Sequence, residues 1–265
     1  MQVITSKDNE VIKNIRKLKE KKYREQEKKY IIEGIKLIEE AVEEKAKIDT
    51  IIVCEDCVKD GTIEQKLLYE IAKYNCIYVS EKVFSAVTEV TNPQGILAVV
   101  EKETGEETID YNQDVILVLD GIQDPGNLGT ILRTVDSVGL TQIIISKETA
   151  DAYNSKVVRS TMGAIFRIKI IIVDDLVKTL KEIKKHKFKI VATSLKTDKS
   201  IYDVDYDKKV IVIGNEANGV SKEVLEASNI KVKIPMLGKT ESLNASVATS
   251  VILYEYVRQK ICKNM

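Results

Sequence analysis

Residues 115–134 read VILVLDGIQDPGNLGTILRT, and this stretch predicts the basic structural unit of the C-terminal half of the chain. Its first five residues are all Val, Ile or Leu, which is typical of a buried strand. A loop containing Asp, Gly, Pro and Asn follows, and a helical pattern carrying Arg133 comes after it. A strand, a glycine-containing turn and a helix in this order predict the first unit of a parallel α/β sheet.

Further short apolar runs follow along the chain and are separated by helical patterns. These runs lie at 142–146, 169–173, 189–193, 210–214 and 231–234. The predicted fold class is therefore α/β, with a parallel sheet that is covered by helices on both faces. Ligands of such sheets bind beyond the carboxyl ends of the strands. Three segments follow predicted strands and are therefore the candidates for a binding or catalytic site: DGIQDPGNLGTILRT (120–134), GNEANGVS (214–221) and PMLGKTESLNASVATS (235–250).

The first hundred residues predict a smaller α/β unit. The predicted helices lie at 6–30, 33–44, 63–74 and 81–87, and the predicted strands at 50–53, 77–79 and 96–100. In the first helix, Ser6 is the expected cap, and Val11, Ile15 and Leu18 form a stripe expected to face the core. The segment 101–113 is polar and acidic, which suits a linker. We therefore predict a domain at 1–105, a linker at 106–113 and a second domain at 114–265.

The composition indicates a globular protein whose charge is unevenly distributed. The 265 residues include 44% hydrophobic residues, 12 Gly and 3 Pro, which excludes a disordered or collagen-like chain. Its 41 Lys and Arg balance 41 Asp and Glu. Residues 1–30, however, carry 10 basic and 5 acidic side chains, whereas residues 31–110 carry 8 and 18. The basic N-terminal segment suits contact with phosphates, and a solvated helix would explain the charge equally well.

The sequence gives no sign of a membrane segment, a secretion signal or a metal site. Its apolar runs are far shorter than the roughly 20 residues that span a bilayer, and no apolar stretch follows the N-terminus, so the expected compartment is the cytoplasm. Cys54 and Cys57 form a C-x-x-C pair, but no second pair completes a zinc site and His186 is the single histidine. We expect free thiols and no metal.

Several familiar catalytic motifs are absent. No G-x-G-x-x-G follows a strand, and neither a P-loop nor G-x-S-x-G occurs. His186 lies in a lysine-rich run and is a poor candidate for a base. Considered singly, the three loops remain ambiguous, since Asn127 or Ser242 could simply cap a helix and Arg133 could be an ordinary surface residue. Glu216 fits a helix-terminal anion or a ligand contact equally well.

Three motifs in a fixed order nevertheless form a specific pattern. They are D-P-x-N-L-G with a downstream Arg (124–133), I-G-N-E-x-x-G (213–219), and I-P-M followed by S-L-N-x-S-V-A (234–236 and 242–248). Together they resemble the SpoU-type RNA ribose 2′-O-methyltransferases of the SPOUT superfamily, apart from Ala245, where many relatives have Val. Residues 1–105 resemble the small substrate-binding domain of such enzymes at IIEGIKLIEEAV and NPQGILAVV.

The resemblance implies a parallel-sheet SPOUT domain with a deep trefoil knot, S-adenosylmethionine as cofactor, and a homodimer that uses the final helix at 247–260. It assigns catalytic roles to Arg133, Asn127, Glu216 and Asn244. It assigns the cofactor site to Thr193, Gly214, Asn215, Glu216, Ile234, Pro235, Met236, Ser242 and Leu243. The implied function is methylation of a ribose in 23S ribosomal RNA. The alternatives are the same reaction on transfer RNA and a non-catalytic role as an RNA-binding assembly protein. The presence of all four catalytic candidates argues against the non-catalytic role.

Overall fold

The computed structural model describes residues 3–102 and 108–263. The chain divides into two compact units, the first formed by Met1–Gly105 with Tyr153–Phe166 and the second by Glu106–Ala152 with Arg167–Met265. The segment 153–166 thus groups with the first unit, although it lies within the predicted second domain. The predicted boundary at 105 and the first two residues of the predicted linker lie outside the described residues.

The first unit contains a mixed five-stranded sheet in the order β1-β4-β3-β5-β2, in which β5 is antiparallel to both of its neighbours. Its strands are β1 (Val3–Ile4), β2 (Lys29–Glu33), β3 (Ile48–Cys54), β4 (Cys76–Val79) and β5 (Ile96–Glu101). Its helices within residues 3–102 are α1 (Glu10–Lys17), α2 (Lys21–Glu27), α3 (Ile35–Glu43), α4 (Glu55–Lys59), α5 (Gln65–Ile71) and α6 (Glu81–Val87).

The prediction of one helix over 6–30 is wrong, because the segment forms α1, α2 and the start of β2. The buried Arg24 side chain donates hydrogen bonds to the carbonyls of Leu18 and Lys19 at 2.7 and 2.6 Å. These bonds satisfy carbonyls just beyond α1 that a continuous helix would bond internally. This contact depends on the fold of α2 back onto α1, which helical periodicity does not encode.

Two details at the N-terminus of α1 also differ from the prediction. Asn9, and not Ser6, caps the helix, since its side chain accepts a hydrogen bond from the Val11 N–H at 2.9 Å. The buried stripe contains Ile12, whereas Val11 is 41% exposed. The helix predicted at 33–44 is α3, and it begins at Ile35, because Gly34 has a φ of +109° and residues 29–33 pair with β5.

The second unit is built on a six-stranded parallel sheet in the order β11-β9-β10-β6-β7-β8, which confirms the predicted α/β class. The strands are β6 (Val115–Asp120), β7 (Gln142–Ser146), β8 (Lys169–Val173), β9 (Lys189–Thr193), β10 (Lys209–Gly214) and β11 (Ile230–Val232). The helices of this half are α7 (Pro125–Ser137), α8 (Ser155–Ser160, in the first unit), α9 (Leu176–Lys185), α10 (Lys222–Ala227) and α11 (Ala245–Lys263).

The core of the second unit fills the space between the sheet and its helices. On one face, Ile116 and Val212 of the central strands pack with Leu180 of α9 and Val224 of α10. Helix α11 packs against α7. No helix in the described chain combines the length and the apolar character that crossing a membrane requires. The trefoil knot implied by the resemblance stays a prediction.

Candidate active site

The strand order places three loops of the second unit at one edge of its sheet. The chain runs from β6 outward through β7 and β8, and it later returns to the other side of β6 with β9 and β10. Strands β6 and β10 are therefore neighbours at the point where the order reverses, and Asp120 pairs with Gly214 at their carboxyl ends. A reversal of this kind opens a crevice that parallel α/β sheets use for ligands.

The loop after β6 leads directly into α7, and Asp124 caps this helix. Its side chain accepts a hydrogen bond from the Asn127 N–H at 2.8 Å, and Pro125 occupies the first helical position. The interpretation of Asn127 as the cap is therefore wrong. The dipeptide Asp124-Pro125 carried the correct signal, because Pro lacks the N–H that the first helical position leaves unsatisfied.

A chain of side-chain hydrogen bonds joins the three loops. The Asn244 Nδ2 donates to the Asn127 Oδ1 at 2.9 Å, and the Asn127 Nδ2 donates to the Glu216 Oε1 at 2.9 Å. Glu216 also accepts hydrogen bonds from the N–H groups of Gln123 and Asp124 at 3.2 and 3.3 Å. We name Asn127, Glu216 and Asn244 the loop-bridging triad. The structure thus brings together three of the four residues that sequence resemblance assigned to catalysis.

Asn244 also begins the last helix. Its Oδ1 accepts hydrogen bonds from the Ser246 N–H at 2.9 Å and from the Ser246 hydroxyl at 2.7 Å. Asn244, not Ser242, is therefore the residue that caps α11. The Asn244 amide group uses its oxygen on α11 and its nitrogen on Asn127, so its orientation is determined from both sides.

The carboxyl group of Glu216 is held in its ionised form. Burial raises its pKa, but the hydrogen bonds from the Asn127 side chain and from the backbone outweigh this effect and place the pKa below its ordinary value. An ionised carboxylate accepts several hydrogen bonds at once, which is what the bridging role requires. A protonated Glu216 would lose part of this capacity.

We predict a corresponding pH dependence of stability. Because the Glu216 pKa is lower in the folded than in the unfolded chain, the carboxylate stabilises the fold above its unfolded pKa of about 4.3. This stabilisation is lost as the pH falls through the folded-state pKa. The difference in melting temperature between the wild type and Glu216→Gln should therefore shrink between pH 7 and pH 3. Glu241→Gln, at an exposed position, is the control; a gap for Glu216→Gln that stays constant across this range would contradict the prediction.

Gly214 and Asn215 shape the second loop through contacts within the protein. A Cβ on Gly214 would lie 2.0 Å from the Val220 nitrogen and 2.1 Å from the Gly219 carbonyl carbon, so a side chain has no room there. The Asn215 Nδ2 donates to the Gly121 carbonyl at 2.8 Å, and its Oδ1 accepts from the Ala217 N–H at 2.9 Å. These two residues hold the loop that presents Glu216.

The remaining residues assigned to the cofactor lie along the same edge. Thr193 ends β9, and Ile234, Pro235 and Met236 follow β11, which pairs with β9. The Thr193 hydroxyl donates to the Val212 carbonyl at 3.2 Å. From 234 to 243, a range that includes Ser242 and Leu243, no backbone group hydrogen-bonds to any residue that the structure describes. This stretch therefore has N–H and C=O groups without a protein partner, which can bond to a ligand.

The Arg133 side chain is exposed on α7 and makes no hydrogen bond or ion pair within the described residues. Among the described residues, no hydrogen bond joins the Arg133 side chain to the loop-bridging triad. The neighbouring Thr134 is fixed, since its hydroxyl lies 3.1 Å from the Ser250 hydroxyl of α11. The Arg133 guanidinium thus projects from an anchored helix and remains available for an anion.

Other potentially reactive side chains have structural environments. The His186 ring stacks on Tyr111 with centroids 3.6 Å apart, near the amino ends of the strands and thus away from the three loops. Cys54 and Cys57 are free thiols of the first unit, and burial together with the neighbouring Cys54 raises the pKa of Cys57 to about 12. Within residues 3–102 and 108–263, no His, Cys, Asp and Glu side chains cluster in a way that could hold a metal ion.

Solved structures have a similar fold over nearly the whole chain. An AdoMet-bound rRNA methyltransferase from Sinorhizobium meliloti aligns with a TM-score of 0.82 and 30% identity over 97% of both chains. The SpoU methyltransferase AviRb from Streptomyces viridochromogenes, in complex with AdoMet, aligns with a TM-score of 0.85 and 26% identity over 96% of this chain and 98% of that one.

Sequence comparisons agree with the structural ones. The chain is 33% identical to the 23S rRNA (guanosine(2553)-2′-O)-methyltransferase RlmP of Bacillus subtilis over 96% of this chain and 98% of that protein. It is 38% identical to a 23S rRNA (guanosine-2′-O-)-methyltransferase RlmB of Bordetella pertussis over 64% of this chain and 72% of that protein. A model of an MRM3-like substrate binding domain matches residues 9–98. The model of the SpoU rRNA Methylase family matches residues 114–254, and the chain therefore belongs to that family.

Proposed function

We propose that the protein transfers a methyl group from S-adenosylmethionine to the 2′-hydroxyl of a ribose in 23S ribosomal RNA. The observation that carries this proposal is the loop-bridging triad, which ties the three motif loops together at the switch point of the sheet. Membership of the SpoU family supports the reaction class. The names of the relatives from B. subtilis and B. pertussis support ribosomal RNA as the substrate.

The residues at the carboxyl edge of the sheet fit S-adenosylmethionine. The unsatisfied backbone groups of 234–243 can read the polar edge of an adenine, and the half-buried side chains of Ile234, Met236 and Leu243 can cover its faces. Pro235 and Ser242 belong to this stretch, and Thr193 ends the neighbouring strand β9. Gly214, Asn215 and Glu216 hold the adjoining loop. When bound, S-adenosylmethionine supplies a methyl group on a positively charged sulfur.

Arg133 is the proposed catalytic residue. A ribose hydroxyl is a weak nucleophile at neutral pH, and negative charge develops on its oxygen as its proton leaves. A guanidinium stays protonated and cannot act as the base, but it can stabilise this charge and hold an adjacent phosphate. The proton passes to a phosphate oxygen or to water. The triad contributes indirectly, by fixing the loops and the start of the helix from which Arg133 projects.

The first unit is the proposed RNA-binding part of the protein. It matches a substrate-binding domain model over residues 9–98 and contains the basic N-terminal segment. We assign RNA recognition to 1–105, a linker to 106–113 and catalysis to 114–265, with 153–166 packed in the first unit. Helix α11 exposes Val247, Tyr254 and Ile261, and this apolar surface supports the proposed homodimer. A knotted catalytic domain and a cytoplasmic location complete the proposal.

A labelling experiment tests the function. Purified protein is incubated with methyl-labelled S-adenosylmethionine and either 23S ribosomal RNA or total transfer RNA, and the labelled nucleotide is then mapped. The expected result is a single labelled ribose in 23S RNA whose 3′ linkage resists alkali, because a methylated 2′-oxygen cannot attack the neighbouring phosphate. Label in transfer RNA alone would establish the alternative substrate. Absence of label from both RNAs and from intact ribosomal subunits would overturn the catalytic assignment.

A further inference from the structure

The first unit contains a groove with a volume of about 370 Å³ that the proposed chemistry does not use. It lies where α1 and α2 meet the sheet. Its lining comes from α1, from α2 and from residues of β2, β3 and β5. All of its lining residues belong to the first unit. The groove is large enough for a nucleoside, since small-molecule pockets start at about 300 Å³.

The lining is apolar at its base and carries amide groups at its rim. Ile15, Leu18 and Val99 are buried and form the base, and the half-buried Tyr23 ring adds an aromatic surface. The exposed amides of Asn14 and Gln26 belong to the same lining. Within the described chain, the side-chain oxygen of Asn14 accepts a hydrogen bond from the Lys17 ammonium, and the side-chain nitrogen of Gln26 donates one to the Glu27 carboxylate. The Asn14 nitrogen and the Gln26 oxygen make none there. One amide donor and one amide acceptor therefore remain available.

Charge separates the inside of the groove from its surroundings. Lys29 and Asp49 of the lining pair with each other at 2.5 Å, and the other two charged lining residues are one lysine and one glutamate, so the groove is neutral overall. Around it, the first thirty residues carry twice as many basic as acidic side chains. Arg16 and Lys22, which adjoin lining residues in sequence, are exposed and have no carboxylate partner in the described chain. The Lys22 ammonium lies 5.7 Å from the centroid of the Tyr23 ring, at the groove itself. This pattern suits a neutral planar group inside and phosphates outside.

We propose that the groove binds a single unstacked base of the RNA substrate, with the neighbouring phosphates on the basic surface of α1 and α2. This inference rests on the proposed function. Sequence-specific readers of RNA take up splayed bases on aromatic side chains and hydrogen-bond their edges with amides, and Tyr23, Asn14 and Gln26 supply both elements. The base enters between α1 and α2, with its faces against Tyr23 and the apolar floor.

The first test compares tyrosine variants in full-length protein. Filter binding of 23S ribosomal RNA at constant salt should show that Tyr23→Ala lowers the affinity about 5- to 150-fold, the range for loss of one base–aromatic stack. Tyr23→Phe keeps the ring and should bind as the wild type does. Tyr69→Ala removes a tyrosine that is 85% exposed elsewhere in the same unit, and it should leave binding unchanged. Equal affinity of Tyr23→Ala and wild type would overturn the proposal.

A second test does not depend on truncation of Tyr23. Asn14 is exposed, so Asn14→Trp can fill the groove from its rim without disturbing the core. We expect a raised KM for 23S RNA with an unchanged kcat and unchanged affinity for S-adenosylmethionine. In parallel, wild-type protein is photocrosslinked to 23S RNA that contains 4-thiouridine, and the modified peptides are sequenced. Crosslinks within residues 10–29 that Asn14→Trp abolishes support the groove.

The two proposals can fail separately. Wild-type protein that crosslinks through residues 10–29 but methylates no RNA would overturn the proposed function and keep the groove. Wild-type protein that methylates 23S RNA, with crosslinks elsewhere and an unchanged KM in Asn14→Trp, would overturn the groove alone. Melting curves of each variant show whether the fold is intact.

Discussion

Replacement of Arg133 by lysine is expected to lower the kcat of methyl transfer by about two to three orders of magnitude, the range for loss of one group that stabilises a developing oxyanion. Lysine keeps the charge but lacks the planar fork that can hold the ribose oxygen and a phosphate oxygen together. Because the Arg133 side chain makes no hydrogen bond or ion pair within the described chain, its replacement breaks no such contact among the described residues. Affinity for S-adenosylmethionine should change by no more than a few fold.

Single-turnover kinetics with saturating RNA measures this effect, and calorimetry measures the cofactor affinity. Lys181→Arg provides a matched control, since it exchanges the same two residue types at an exposed position on α9 and should leave both quantities unchanged. Full activity of Arg133→Lys would refute the proposed role of the guanidinium. A large loss of cofactor affinity would instead place Arg133 in the cofactor site.

The second large effect is expected for Gly214→Ala. An alanine Cβ there would overlap the backbone of Gly219 and Val220, which cannot move aside as a flexible side chain could. Overpacking against a well-packed region costs about 1–3 kcal/mol or more, and we expect a loss near the upper end of this range in the free energy of unfolding. Displacement of the 214–220 loop would also move Glu216 away from Asn127 and disable turnover.

Urea denaturation and the methyl-transfer assay measure these two consequences. Gly238→Ala is the control for stability, because a Cβ at Gly238 meets no atom within 4 Å. We expect that variant to unfold at the same urea concentration as the wild type. Wild-type stability of Gly214→Ala would mean that the loop can open by more than an ångström at little cost. The close approach of Gly214 to Gly219 and Val220 would then not be what positions Glu216.

The two halves of the chain differ in how far their sequence predicts their structure. In the second unit, the strands β6, β7 and β10 are short apolar runs that are buried on both faces, so residues 115–119 and 142–146 signal strands without reference to neighbours. In the first unit, Val11, Ile15 and Leu18 predict one helix over the lysine- and glutamate-rich segment 6–30, yet α1 ends at Lys17 and β2 begins at Lys29, where it pairs with β5. Periodicity reports a preference of the local backbone, and a tertiary contact overrides it there.

The candidate site shows the same division. The motifs at 124–133, 213–219 and 242–248 supplied the catalytic candidates, and three of these four residues meet in hydrogen-bonded contact. The sequence did not predict which residues cap the helices: Asp124 rather than Asn127 caps α7, and Asn244 rather than Ser242 caps α11. Caps depend on where a helix begins to within one residue, and sequence patterns locate helix ends less sharply than that.

Local patterns along the chain are thus enough to determine the parallel α/β class, the order of the strands in the second unit, and the loops in which the candidate residues lie. The tertiary structure alone decides that Asn127 lies against Glu216, 89 residues away, and against Asn244, 117 residues away. The physical reason is the insertion of β10 between β6 and β9, which brings the carboxyl ends of β6 and β10 side by side. That strand order arises from packing of the whole sheet, so no single segment encodes it.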